Sequence, residues 1–264
     1  MRKEDIGKIN LFLLDMDGTF CMGDQPFEFS KEVIVRFRNA GKKYLFMTNN
    51  SSKSVADYVK KMEQMGVKAV EEDFLTSAQA TVYYLNVHHK NARLYVCGTD
   101  SLKREFEGSG FEVTEDLDRV NCIVVGYDTE LNYKKLKDVC RLLYEKDLPY
   151  IATHPDYVCP TEYGFIPDCG SICDMIFTAT GKRPYFVGKP EALMVELAME
   201  KLGFGKDETA VVGDRIYTDI KSGLNAGVIS ILVMSGETTQ EILDASEDKP
   251  DLVLQDCGEL IMYL

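Results

Sequence analysis

Two carboxylates stand one residue apart where an apolar run stops. Leu11-Phe12-Leu13-Leu14 gives way to Asp15-Met16-Asp17-Gly18-Thr19, which puts both acids just past the carboxyl end of a buried strand, where open α/β sheets place their ligands. The two can face one crevice only if the chain turns after the strand, and Gly18 tolerates such a turn. The turn bares backbone N–H groups, those of Met16 and Gly18 among them, that could cradle a phosphoryl group. In that arrangement Asp15 would attack phosphorus while Asp17 moved a proton. The bland alternative is an Asx-turn that caps a helix.

The elements needed to hold such a turn lie on both sides of it. Short β-rich runs alternate with helical periodicity: a strand from Asn10 to Leu14, a helix from about Ser30 to Ala40, a strand from Lys43 to Met47 and a helix from about Val55 to Gly66. The pattern returns late, with Thr209 to Val212, a helix through Ile220 to Ala226, Ile229 to Val233, a helix near Thr239, and Asp251 to Leu254. This alternation predicts an α/β fold with a doubly wound parallel sheet to which both chain ends belong. Between them runs a second α/β stretch, with strands near Arg93 to Cys97, Cys122 to Val125 and Tyr150 to Ala152, and helices near Thr81 to Val87 and Leu131 to Glu145. Residues 1–80 and 183–264 are therefore expected to form a core and 81–182 an inserted α/β domain, the second boundary falling where Thr178 to Pro184 breaks the periodic pattern. The insertion would cover the active end of the core.

Composition narrows the partners. At 264 residues the chain can bury one large core or two modest ones. Thirty basic against 43 acidic residues give a net charge of -13, which repels nucleic acid and anionic membranes at long range. A small-molecule phosphate ester is not excluded, since local cations can hold it and salt screens the distant field within about 10 Å. No nucleic acid and no membrane is expected as a partner, and assembly into a homo-oligomer stays open. The start, Met1-Arg2-Lys3-Glu4-Asp5, sets acids directly before the short apolar run, unlike a signal peptide or a membrane span, and a cytoplasmic protein is expected. Eight cysteines include no C-x-x-C pair and read as reduced thiols, and a zinc site at Cys169 and Cys173 lacks a second ligand pair. His88-His89 reads as solvated surface.

Asp15-Met16-Asp17-Gly18-Thr19 after an apolar strand resembles the first motif of the haloacid dehalogenase (HAD) superfamily, and three further motifs follow in order. Thr48-Asn49-Asn50-Ser51 resembles the second, whose hydroxyl and backbone N–H groups bind phosphate. Gly188-Lys189-Pro190 resembles the third, in which a lysine neutralises the phosphate and the nucleophile; the proline suits the first turn of the following helix. Val211-Val212-Gly213-Asp214-Arg215, with Asp219 beyond it, resembles the fourth. Singly, these read as an ordinary turn, a solvated lysine and a first-turn acid favoured by the helix dipole; their weight comes from their order and strand-end positions. The resemblance implies a Rossmann-like core and a magnesium-dependent phosphatase that forms an aspartyl-phosphate on Asp15, with Asp17 as acid and base and Lys189 offsetting charge. Magnesium takes hard oxygen ligands and keeps several waters. Asp15, Asp17 through its carbonyl, and Asp214 would hold it, with Asp219 ordering a metal-bound water or Lys189.

The insertion falls between the second and third motifs, which resembles HAD class IIA, the NagD-like and 4-nitrophenylphosphatase-like branch with an α/β cap. Ala152-Thr153-His154-Pro155-Asp156, then Pro160-Thr161-Glu162-Tyr163-Gly164 and Ile166-Pro167, resembles that branch's cap segment. His154 stands where the branch usually has asparagine, and Asp168-Cys169-Gly170 where it commonly has Gly-x-Gly. In the cap, His154 either caps a loop or contacts substrate, Asp156 belongs to the same segment, and Tyr127 and Asp128 follow a strand end, where a turn is the simpler explanation. Four alternatives remain. A phosphotransferase or phosphomutase would keep the scaffold. A carbon–halogen hydrolase would not need Asp17, and a receiver domain would need neither Asp17 nor a cap. A catalytically silent binding protein would not need every reactive position filled.

Overall fold

The structure, a computed structural model, describes residues 3–161 and 163–264; Met1 and Arg2 of the expected acidic start, and Glu162 of the expected cap segment, lie outside the described residues. The chain forms two compact units. The first takes the chain up to Thr48, Val55–Leu75 and Lys189–Leu264; the second takes Asn49–Ser54 and Thr76–Gly188. No helix among the described residues is long and apolar enough to cross a membrane.

The first unit is built on a six-stranded sheet in the order Leu252–Leu254, Ile229–Val233, Thr209–Gly213, Leu11–Leu14, Lys43–Thr48, Phe74–Thr76. Leu11–Leu14 is central and wholly buried, which is why its sequence is apolar at every position rather than alternating. It runs parallel to both neighbours, with Leu14 opposite Val212 on one side and Phe46 on the other. That register brings Asp15, Thr48 and Asp214 to the carboxyl ends of three adjacent strands. The helix Ser30–Asn39 buries Val33, Ile34 and Phe37, and Phe37 meets Phe12 at a ring separation of 4.7 Å. The late helix was expected through Ile220 to Ala226. The α-helix is Lys221–Ala226, entered through a π-turn over Ile216–Ile220 in which Ile220 N–H reaches back to Arg215 O at 3.2 Å. Such turns recur at functional sites, and this one carries Asp219 inside it rather than at a helix start. Pro190 likewise lies in a turn, and the helix after it begins only at Leu193.

The second unit has its own five-stranded parallel sheet, in the order Tyr185–Phe186, Tyr150–Ala152, Cys122–Val125, Arg93–Cys97, Glu112–Val113. A hairpin of Val158–Thr161 and Gly164–Pro167 accompanies it. The boundaries expected at 80 and 182 both fall inside this unit, which begins earlier, at Thr76, and ends later, at Gly188, for local reasons. Thr76 and Gln79 cap each other, with Gln79 N–H on Thr76 Oγ1 at 3.2 Å and Thr76 N–H on Gln79 Oε1 at 3.0 Å, so the helix starts at Ser77 instead of Thr81. Tyr185 and Phe186 pair with Ile151 and Ala152, which keeps the chain in the second sheet past 182. Residues 49–54 join the unit because Ser51 Oγ bonds Thr153 Oγ1 at 2.9 Å and Ser52 O accepts from Thr99 Oγ1 at 3.1 Å.

Candidate active site

The loop after Leu11–Leu14 is wound tightly on one carbonyl. Met16 O accepts from Phe20 N–H at 2.8 Å and Cys21 N–H at 3.0 Å, and Thr19 N–H approaches it at 3.3 Å. Gly18 sits at φ 89°, and its N–H is committed to Cys21 O at 2.8 Å. Its expected part as a phosphate donor therefore gives way to a steric one. A Cβ at residue 18 would lie 2.4 Å from Asp214 Oδ2, so only glycine lets the loop pass this close to that acid. Met16 and Asp17 are left with backbone N–H groups that have no partner among the described residues. Two more glycines clear the same space: a Cβ at Gly236 would lie 2.0 Å from Asp214 Oδ2, and one at Gly213 would lie 2.2 Å from Asp219 Cβ.

Lys189 is the centre of charge. Its ammonium, 2% exposed, donates to Asp15 Oδ1 and Asp219 Oδ1 at 2.6 Å each and to Met47 O at 3.0 Å. Burial works against its charge, but Asp15 and Asp219 more than offset this and hold the ammonium above its usual range. Asp15, Asp214 and Asp219 each offer an oxygen within 4.8 Å of the others. Three acids around one lysine leave negative charge in excess. Burial first, then Asp219, pushes the Asp214 carboxyl up to about 7, and burial with Asp219 raises Asp15 well above the carboxylate range despite Lys189. A hard-oxygen set short of positive charge fits a divalent cation such as magnesium.

The free oxygens sort the ligands. Both Asp219 oxygens are taken, Oδ1 by Lys189 and Oδ2 by Arg215 N–H at 3.1 Å, which suits a positioning part. Asp214 Oδ2 accepts from Glu237 N–H at 2.6 Å, while Oδ1 has, among the described residues, only Thr19 Oγ1 at 3.5 Å and could serve a metal. The Asp17 carboxylate lies outside the three-acid group. It pairs with Lys61 Nζ at 3.7 Å and accepts from Cys21 Sγ at 3.8 Å, so any share it has in holding a metal falls to its carbonyl.

Thr48 is buried at the end of its strand. The side chains of the next two residues serve local structure. Asn49 Nδ2 donates to both oxygens of Asp156 at 3.1 and 3.2 Å, and Asn50 Oδ1 accepts from Ser52 N–H at 3.0 Å and Ser52 Oγ at 2.7 Å in an Asx-turn. Lys61, Gly236 and Glu237 were not legible beforehand. Lys61 is one of two adjacent lysines on an amphipathic helix, and Gly236-Glu237 carries no motif.

Within the second unit, the expected cap residues form a buried network. His154 is fully buried, with Nδ1 2.9 Å from Thr153 Oγ1 and Nε2 2.9 Å from Asp168 Oδ1. Asp168 also accepts from Cys169 N–H at 2.6 Å, capping the helix Cys169–Thr180. Both ring nitrogens of His154 are thus engaged within the second unit. Gly170 keeps the second glycine of the pattern because a Cβ there would lie 2.2 Å from Pro155 O. Asp128 is similarly committed, to Lys135 Nζ at 2.8 Å and to Glu130 N–H at 2.9 Å, and Tyr127 N–H donates to Ser51 Oγ at 3.0 Å. His154, Asp156 and Asp168 offer ligand atoms within 4.8 Å of one another, but these hydrogen bonds already account for all three.

The buried pair has a pH signature. Burial disfavours charge on His154, yet Asp168 outweighs it and the imidazole is pushed up to about 9. Its folded-state value lies above the unfolded value of about 6.5, so its contribution to stability is complete below pH ~6.5 and is lost as pH rises through ~9. That contribution is on the order of 3 kcal/mol. Thermal melting of wild type and His154→Asn between pH 6 and 10 should show the wild type losing its advantage across this window; parallel curves would contradict it.

Comparison with known proteins identifies the family. The family described as haloacid dehalogenase-like hydrolase matches residues 12–112, and a second HAD-like hydrolase family matches residues 186–260. Over 253 residues the chain is 33% identical to the acid sugar phosphatase of Staphylococcus epidermidis, covering 96% of this chain and 97% of that one. The 4-nitrophenylphosphatase of Thermotoga maritima superposes with a TM-score of 0.91 at 42% identity, over 97% of this chain and 98% of that one. The glycerol phosphate phosphatase of Mycobacterium tuberculosis, solved in complex with magnesium, superposes with a TM-score of 0.90 at 28% identity, over 97% and 77% of the two chains. The chain belongs to the haloacid dehalogenase-like hydrolases, in their NagD-like and 4-nitrophenylphosphatase-like branch, and is a phosphoric monoester hydrolase.

Proposed function

We propose that the chain hydrolyses a small organic phosphate monoester, a sugar phosphate or similar, in two displacements at phosphorus with Asp15 as nucleophile. The observation that carries this reading is Lys189 Nζ, 2.6 Å from both Asp15 Oδ1 and Asp219 Oδ1. That contact fixes which Asp15 oxygen is held and leaves the other to attack. In the first step an Asp15 oxygen bonds to phosphorus, the ester oxygen leaves, and Asp17 gives that oxygen its proton. In the second, water loses a proton to Asp17 and attacks phosphorus, releasing phosphate and regenerating the Asp15 carboxylate. Lys61, 3.7 Å from Asp17 Oδ1, orients that acid. Lys189 offsets charge on the transferring group, and the N–H groups of Met16 and Asp17 would donate to its oxygens.

Asp15, Asp214 Oδ1 and the Asp17 carbonyl would hold magnesium, which when bound neutralises phosphate charge and orients the group for in-line attack. Eight free cysteines suit a reducing, cytoplasmic setting. The test is phosphate release from a panel of sugar phosphates, glycerol phosphate, nucleotides, pyridoxal phosphate and 4-nitrophenyl phosphate, with magnesium or with chelator. Release that needs magnesium is expected, and the ranking names the ester class. Phosphate moved between positions of one substrate, without net release, would instead indicate a mutase; no reaction with any ester would indicate a silent binding protein.

A further inference from the structure

A second charged site lies in the first unit, away from the acids. A hollow of about 510 Å³ is lined by Arg38, Lys42, Lys43, Tyr44, Lys68 and Asp73, among others. Lys43 opens the strand that ends at Thr48 and pairs with Leu11, so the hollow is at the amino end of the sheet. Four residues of strand separate Leu11 from Asp15, about 13 Å. We propose that this hollow binds a small molecule carrying two or more phosphate groups.

Charge is the first argument. The chain has 43 acidic and 30 basic residues, and most cations near such a surface could find an acid. Here four basic side chains line one hollow against a single acid, Asp73. Among the described residues, none of the four is in an ion pair. Asp73 is turned to the backbone, its Oδ2 accepting from Val70 N–H at 3.0 Å. Low-dielectric walls focus the field of such a group and attract an anion.

Preorganisation is the second. Arg38 Nη2 donates to Tyr44 OH at 2.7 Å and Lys68 O at 2.6 Å. Lys42 Nζ donates to Gly7 O at 2.7 Å and Asn10 Oδ1 at 3.0 Å. All four acceptors are neutral, so they fix the two cations in place without cancelling their charge. A fixed guanidinium beside ammonium groups matches phosphate oxygens and loses little side-chain freedom on binding. Tyr44, half-buried against Phe37 and Phe46, gives the hollow a rigid wall.

Size is the third. About 510 Å³ is in the range of ligand clefts, roughly 300–1,000 Å³. One orthophosphate would fill little of it and meet few of the four cations. The ordinary alternative is a set of solvated surface lysines that bind nothing.

The test is calorimetric titration of the full chain with pyrophosphate, ADP and orthophosphate, in chelator so that no metal is present, for the wild type and Lys43→Gln/Lys68→Gln. Both lysines are exposed and lie outside the acid cluster, so melting temperature and 4-nitrophenyl phosphate turnover should not change. Pyrophosphate and ADP should bind more tightly than orthophosphate. The double variant should weaken both by about tenfold at low salt, with amide shifts on ligand addition at 41–44 and 68–70. Equal affinity for pyrophosphate and ADP would mean that the phosphates alone are read; tighter ADP would mean that the nucleoside is read as well. Affinity unchanged in the double variant, orthophosphate binding as tightly as pyrophosphate, or shifts confined to Asp15 and Lys189 would overturn the proposal.

Discussion

Replacing Asp15 with asparagine should lower turnover of every phosphate ester by at least about 10⁴-fold, with the fold retained. An amide oxygen is a far weaker nucleophile than a carboxylate and cannot form the mixed anhydride. The substitution is nearly isosteric, and Lys189 can still donate to the amide oxygen. Stability should not fall, because burial with Asp219 and Asp214 already opposes the Asp15 charge, and removing that charge relieves the excess. The melting temperature should therefore hold or rise while activity disappears. A stability loss parallel to the activity loss would mean that Asp15 acts as scaffold instead.

Replacing Lys189 with methionine should do the opposite to stability. The lysine is 2% exposed and holds two carboxylates at 2.6 Å each. Without it Asp15 and Asp219 face each other near Asp214 with no cation, and breaking a buried ion pair by removing one partner costs about 3–5 kcal/mol. Protonation of one acid would limit the loss to the lower end. For a chain of this size that is a fall of about 10 °C in melting temperature. Turnover should drop by roughly 10²–10³-fold, the usual effect of removing one electrostatic stabiliser. Lys189→Arg should recover much of the stability and less of the activity, because the charge is kept but the fit among Asp15, Asp219 and Met47 O is not. Equal stability of Lys189→Met and wild type would show that the three acids are not competing for one cation.

These contrasts depend on contacts that the sequence discloses unevenly. Arg93–Cys97, Cys122–Val125 and Ile229–Val233 were legible because their residues are apolar and β-rich, and each is buried along most of its length. Two helices were not. Asp100–Gly108 is short and largely polar, burying only Leu102 and Phe106. Cys169–Thr180 is apolar on more than one face, so its period is blurred, and its start is set by an Asp168 cap rather than by a hydrophobic repeat. Glu112–Val113 and Tyr185–Phe186 have too few residues to show any period; partner strands define them.

The site divides the same way. Asp15, Asp214 and Lys189 announce themselves at strand ends once the four motifs are seen in order. What each atom does is tertiary. The hold of Lys189 on Asp219, the approach of Gly18 to Asp214, and the pairing of Lys61 with Asp17 join residues tens to hundreds apart, and no spacing rule reaches that far. Gly18 shows the limit clearly. Its place in a turn was readable, but its N–H is spent inside the loop, and its value lies in the atom it lacks.

The most direct test of the account is to trap the intermediate. The protein is mixed with radiolabelled 4-nitrophenyl phosphate and magnesium, quenched in acid within one turnover, and digested for mass spectrometry. The account predicts phosphate on the peptide that contains Asp15, absent in Asp15→Asn and lost on treatment with hydroxylamine. Full turnover with no label on the protein at any quench time, or label on a residue other than Asp15, would contradict it.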